Sequence, residues 1–167
     1  MVNYLKITAK IRICNYEDLL SEEKNMVDKA KEAAFRAYAP YSGFKVGAAA
    51  LMENGEIVTG NNQENVAFPS GLCAERTTLF YAHSRYPDRA VLALAIAAHT
   101  EGDFLDRPVS PCGACRQVML ETEMRFHCPV KVILYGKKEI YIVGSIKDLL
   151  PLAFDSVESK ILPCTFE

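Results

Sequence analysis

The sequence contains no run of basic residues. Its 19 Lys and Arg are outnumbered by 21 Asp and Glu, for a net charge of −2. It therefore lacks the electrostatic footprint with which proteins hold nucleic acid or an anionic membrane. No apolar run approaches the roughly 20 residues needed to cross a bilayer. The opening stretch, MVNYLKITAKIRIC, alternates Lys and Arg with apolar side chains. It has no unbroken apolar core of the secretory type, and a cytoplasmic location is the expectation. Internal repeats, low-complexity stretches and linkers are missing too. The 167 residues suffice for one domain, expected over 1–167, whose core needs no disulfide staples. Histidine is scarce: His83, His99 and His127 are the three present, and none lies near the cysteines that stand out below.

Half the residues are apolar and 24% are charged, ordinary globular usage that leaves the pattern along the chain to set the fold. Leu5, Ile7, Ala9, Ile11 and Ile13 alternate with Lys6, Thr8, Lys10 and Arg12. The period of two predicts a strand over residues 4–13 with one buried face. Ser21 as N-cap, followed by Glu22 and Glu23, opens a helix with the acidic first turn that suits its dipole. Met26, Ala30, Ala33, Ala34 and Ala37 keep helical spacing to about Tyr38, before Pro40 and Gly43 stop it. Residues 46–52 and 57–60 flank Asn54-Gly55, a strong two-residue hairpin signal. Residues 60–71 read as loop and 73–84 as helix. Residues 91–98, VLALAIAA, read as a central strand covered on both faces. Residues 99–111 read as loop and 112–124 as a helix with Ser110 as cap and Pro111 in its first position. Strands over 130–135 and 140–143, a short helix over 146–150 and an irregular tail complete the chain. Strands alternating with helices imply an α/β class. The hairpin makes the sheet mixed. The expectation is a three-layer α/β/α fold on a roughly five-stranded mixed sheet, with residues 1–20 adding an extra N-terminal strand.

Of six cysteines, Cys14, Cys128 and Cys164 stand alone and read as small hydrophobes. Cys112 and Cys115 sit in SPCGACRQV. Three apart at a helix start, they share one face, so both sulfurs can reach one ion. By itself such a pair reads equally as a redox couple. Cys73, at the start of the preceding helix in PSGLCAERT, supplies a third sulfur. Three protein ligands with an open fourth position are the arrangement of catalytic zinc. Three thiolates leave zinc net negative, which opposes ionisation of a bound water. Two helix N-termini and the fixed cation of Arg76 offset that charge. Gln117 reads either as a further donor behind the sulfurs or as a solvent-facing side chain. Glu75 lies too close to Cys73 to be needed as a ligand and suits proton transfer. Zinc deaminases share this design: His or Cys with two more Cys, a glutamate that is not a ligand, and P-C-x-x-C. Here the pattern is C-A-E followed by P-C-G-A-C.

With these residues in place, the sequence resembles the cytidine deaminase family, in its compact homotetrameric form with three zinc cysteines. The likeness runs from about Ala37 to Phe154. It is carried by YAPYSGFKVGAA, GNNQENVAFPSGLCAERT, SPCGACRQV and DLLPLAF. The resemblance implies one zinc per subunit on Cys73, Cys112 and Cys115, with Glu75 shuttling protons to N3 and then to the leaving ammonia. It implies that Asn62 and Glu64 bind the ribose hydroxyls, that Phe44 lines the pyrimidine pocket and that the Ala74 backbone bonds the base. Phe154 would stack on the base bound in a neighbouring subunit, making the site composite. Without the resemblance, Asn62 and Glu64 read as a turn residue and a solvated acid, and Phe44 and Phe154 as core or interface aromatics. Many relatives carry Cys-Asn-Ile-Glu-Asn where this chain has Asn61-Asn62-Gln63-Glu64-Asn65, and Tyr where it has Phe68.

The expected activity is hydrolytic deamination of cytidine and deoxycytidine, a step of pyrimidine salvage, on a small-molecule nucleoside without nucleic acid or membrane. Three rivals are a deaminase of another cytosine compound such as blasticidin S, a nucleic-acid-editing deaminase and a zinc-stabilised binding module. The NNQEN pair opposes the first. The missing basic stripe opposes the second. Glu75 beside an open metal position opposes the third.

Overall fold

In the computed structural model, which describes residues 2–155, the first strand β1 (Ile11–Cys14) leads through a 3-10 turn to helix α1 (Ser21–Phe35). The hairpin of β2 (Lys45–Met52) and β3 (Ile57–Asn61) comes next, then α2 (Ala74–Arg85) and β4 (Val91–Thr100). A two-residue strand β5 (Asp103–Phe104), α3 (Gly113–Phe126), β6 (Lys131–Tyr135), β7 (Ile140–Val143) and a 3-10 turn (Ile146–Asp148) follow. The strand order is β1-β7-β6-β4-β2-β3, with β5 beside β4. β4 and β6 pair in parallel, joined across α3, and the other pairs are antiparallel. The five strands from β7 to β3 are the expected mixed sheet, and β1 is the extra one. Cys164 and most of the tail expected to be irregular, beyond residue 155, lie outside the described residues.

Alternation along the central strands builds the layers. Ala48, Ala50, Leu94, Ile96, Val132 and Leu134 pack with Leu79 of α2 and Met119 and Leu120 of α3. Their neighbours Ala49, Leu51, Ala93, Ala95 and Ile133 pack with Met26, Val27 and Ala30 of α1 on the opposite face. The alanines of α1 let it lie close to the sheet. A Cβ on Gly47 would collide with the backbone of Ala30 and Ala34. Buried Glu123 of α3 accepts hydrogen bonds from the N–H groups of Val130 and Ile146, both at 3.0 Å, and from Ser145 Oγ at 2.6 Å. It fixes where the chain leaves β7 and turns back toward the start of α3.

Several boundaries differ from expectation for local reasons. The N-terminal strand is four residues long instead of ten, because β7 offers only Ile140–Val143 as partner. Its supposed buried face is open, with Ile11 and Ile13 48% and 62% exposed. α1 starts at Ser21, with Leu20 in the N-cap position and the Leu20 N–H bonded to Glu23 Oε2 at 3.1 Å. It ends at Phe35 rather than near Tyr38. Tyr38 is drawn instead to the 61–64 loop, donating to Asn62 O at 3.1 Å and accepting from Glu64 N at 2.8 Å. α3 is capped by Cys112, not by Ser110, since the Pro111 carbonyl accepts from Arg116 Nε at 2.8 Å and not from a helical N–H. The last helix is a 3-10 turn. β5 falls in the stretch expected to be loop; its Phe104 packs edge-on against Phe35 and His99.

Candidate active site

α2 and α3 lie side by side on one face of the sheet, and their N-termini converge. Cys73 caps α2, with Glu75 and Arg76 in its first turn. Cys112 caps α3 and Cys115 lies one turn in, fully buried. The sulfurs of Cys73, Cys112 and Cys115 all lie within 4.8 Å of one another, and those of Cys73 and Cys112 are 3.9 Å apart. Two sulfurs bound to one tetrahedral zinc at about 2.3 Å each sit about 3.8 Å apart, so the donor type and the spacing both fit zinc. Arg76 Nη2 lies 3.9 Å from Cys73 Sγ and 3.4 Å from Gly71 O. Arg76 Nε is buried with no partner among the described residues, a donor left over beside the sulfurs.

The electrostatics concentrate charge on one sulfur. The Cys73 thiol is brought down to about 5 by a hydrogen bond from Cys115, against the opposing pull of burial, and by Arg76 and Cys112. Cys115 moves the other way, raised by its bond to Cys73, by burial and by the nearby Glu75. The first proton thus leaves the cluster easily and the next one with difficulty, until a cation takes its place. Glu75 is only 5% exposed. Burial pushes its carboxyl above the usual range and the charge of Cys73 adds to this, while its own backbone N–H works against it. The arrangement is a soft metal site with a buried carboxyl, raised above its usual range, two residues from one ligand.

Beside the sulfurs opens a cavity of about 480 Å³, with Tyr41, Asn62, Glu64, Phe68, Cys73 and Arg76 in its wall. Asn62 Oδ1 accepts from Val46 N at 2.7 Å and its Nδ2 donates to Phe44 O at 2.9 Å. The side chain thus acts as a strut under the start of β2. Glu64 accepts from Tyr41 N at 2.8 Å, from Ser42 N at 3.3 Å and from the Ser42 hydroxyl. Those donors, the hydroxyl first, hold its carboxyl below the usual range. Phe44 is half-buried, and its N–H donates to Ser42 Oγ at 3.0 Å. Ala74 is buried as the first residue of α2. Phe154 is 72% exposed and stands outside the cavity wall. Gln117 does not reach the sulfurs; its Nε2 donates to Phe154 O at 2.7 Å. Asn61 Nδ2 donates to Ala33 O at 3.2 Å and ties down the end of α1. Sequence reasoning missed Ser42 and Arg116. Ser42 carried a signal, lying beside Gly43 in a turn before a candidate site residue. Arg116 carried none beyond its place next to Cys115.

The cytidine and deoxycytidylate deaminase zinc-binding region matches residues 20–130, a span that contains every sulfur of the cluster and Glu75. The chain belongs to this deaminase family. It is 42% identical over 135 residues to a cytidine deaminase from Halalkalibacterium halodurans, covering 80% of this chain and 94% of that one. It is 41% identical over 128 residues to a cytidine deaminase of Mycobacterium tuberculosis, covering 75% of this chain and 84% of that one. In three dimensions it resembles the crystal structure of a cytidine deaminase from Burkholderia pseudomallei, with a TM-score of 0.68 and 38% identity. That likeness covers 81% of this chain and all of the other. Strand β1 precedes the stretch that the deaminase family model matches.

Proposed function

We propose that the protein hydrolyses the C4 amino group of cytidine and deoxycytidine, consuming one water and releasing ammonia with uridine or deoxyuridine. The observation that carries this is the meeting of three cysteine sulfurs at two helix N-termini with the buried carboxyl of Glu75 beside them. Zinc held by Cys73, Cys112 and Cys115 would supply a water made acidic enough to lose a proton near neutral pH. Glu75 accepts that proton and delivers it to N3 of the ring, then serves the departing ammonia. Its raised pKa suits a group that must hold a proton between the two transfers. Arg76 keeps the sulfurs from concentrating too much negative charge at the metal position.

The remaining roles are assigned on the same reading. Asn62 and Glu64 receive the ribose hydroxyls; the carboxylate of Glu64 keeps acceptor capacity beyond its three bonds to the 41–42 turn. Phe44 lines the pyrimidine pocket and the Ala74 backbone bonds the base. Phe154, exposed in the single chain, stacks on a base bound by a neighbouring subunit of a homotetramer. Three free thiols at one site suit a reducing compartment, and the cytoplasm is the proposed location. Among the described residues no helix is long and apolar enough to cross a membrane.

The test is ultraviolet loss of the cytosine chromophore on incubation with the zinc-loaded protein. Cytidine and deoxycytidine should be consumed, with free cytosine and blasticidin S left nearly intact. Inert nucleosides in protein shown to hold zinc would reject the substrate assignment. Light scattering checks the assembly, and a stable monomer that turns over at full rate would remove Phe154 from the site.

A further inference from the structure

Three successive residues at the start of α3 face different tasks. Cys115 is in the sulfur cluster. Arg116 Nε donates to Pro111 O at 2.8 Å, directly before Cys112, and its Nη1 donates to Leu149 O at 2.6 Å. Gln117 Nε2 donates to Phe154 O at 2.7 Å. One guanidinium therefore holds both the loop that presents Cys112 and the point where the C-terminal arm, residues 149–154, leaves its 3-10 turn. The next side chain holds the far end of that arm. Beyond its first residues the arm has no helix or strand of its own, and Leu152 and Phe154 are 79% and 72% exposed. Among the described residues these are the side-chain hydrogen bonds it receives. Both acceptors are backbone carbonyls, so these bonds fix the arm's path, beside the packing of Leu150 and Ala153 on the core, and among the described residues the Phe154 ring stays exposed.

From this we infer that Arg116 and Gln117 are positioning residues for substrate binding: together they strap the C-terminal arm to the metal-bearing end of α3 and set where Phe154 is presented. The inference rests on the reading that Phe154 contacts the base. An Arg fork can satisfy two carbonyls on separate segments at once, which a Lys ammonium on a flexible stem does poorly. An amide donor to a carbonyl cannot be replaced by a carboxylate, which only accepts. Arg116→Lys and Gln117→Glu therefore break the strap with little change in side-chain volume. Gln117 bonds the arm alone, so Gln117→Glu leaves the sulfurs and Glu75 untouched and alters binding more than chemistry, whereas Arg116→Lys also frees the Pro111 carbonyl before Cys112.

Each variant is prepared as the zinc-loaded enzyme. Bound zinc, kcat and KM for cytidine are measured, together with hydrogen–deuterium exchange of peptides covering 145–155. Expected in Gln117→Glu are wild-type zinc, kcat within about twofold, a KM raised about 3- to 10-fold, the scale of one net hydrogen bond, and faster exchange confined to the arm; Arg116→Lys should show the same raised KM and faster exchange of the arm. Unchanged exchange in both variants overturns the inference, as does zinc loss accompanying the KM change in Gln117→Glu. Phe154→Ala leaves the strap intact and separates the two ideas. If it raises KM while the strap variants do not, the strap inference falls. If exchange rises in the strap variants and no variant moves KM, the tether stands and the role of Phe154 at the base falls instead.

Discussion

Glu75 has two reasons to hold a proton, its burial and the thiolate of Cys73, and neither depends on substrate. A group prepared in this way loses its function if its titrating oxygen is replaced, even when its shape is kept. Glu75→Gln should retain zinc and fold normally while kcat falls by about 10²- to 10⁴-fold, measured with metal content determined in the same samples. Turnover near the wild-type rate would take Glu75 out of the mechanism. The sulfur cluster, Glu75 and Arg76 were legible in the sequence because metal and proton chemistry accept few residue types at few spacings. Asn62 and Glu64 were not legible from chemistry alone. In the structure their side chains serve backbone groups of the 41–46 segment, a duty that leaves no pattern in the residues served. Arg116 was missed for the same reason: its partners are the carbonyls of Pro111 and Leu149, and carbonyls have no sequence identity.

The packing of α1 on β2 sets how the elements sit, and it depends on the absence of one side chain. At Gly47 even a methyl group would meet the backbone of Ala30 and Ala34, which cannot rotate out of the way as a flexible side chain can. Gly47→Ala should destabilise the fold by about 1–3 kcal/mol or more, seen as a lowered thermal midpoint; an unchanged midpoint would mean that α1 can slide without cost. The type and order of the elements followed from pattern, since α1 repeats its buried residues at helical spacing and residues 91–98 form an unbroken apolar run. The ends did not. Helix α1 stops where Tyr38 finds bonds with the 61–64 loop, and β1 is only as long as β7 allows. Both are decisions made by partners distant in sequence; the two-residue β5 pairs locally with the end of β4 and is too short to show a period.

At the scale of the molecule, Glu23 joins pieces that the sheet alone would hold loosely. It bonds Arg12 of β1 at 3.2 Å and Lys131 of β6 at 3.1 Å from its place on α1. Burial pushes its carboxyl upward, but the Leu20 N–H and the two cations outweigh this and hold it below the ordinary 4.5. A carboxyl lowered by folding stabilises the folded state above its unfolded pKa, and that contribution is lost as pH falls through the folded value. Denaturant midpoints taken downward from about pH 6 should therefore fall more steeply for the wild type than for Glu23→Gln; parallel curves would show that Glu23 titrates alike in both states. At the metal position Cys115 is part of the packed core, while Cys112 reaches solvent at the rim with its sulfur 3.9 Å from that of Cys73. Three thiols gathered to grip a cation are, once the cation is stripped by a chelator, also gathered to react with one another. A Cys73 thiolate populated at neutral pH is the nucleophile that mild peroxide would oxidise and Cys112 would then trap as a disulfide. Zinc would thus act as the protecting group of its own ligands. Peroxide should remove thiols from chelated protein and spare the loaded form, as counted by alkylation and intact mass. Equal loss from both would show that the sulfurs are no safer for being bound.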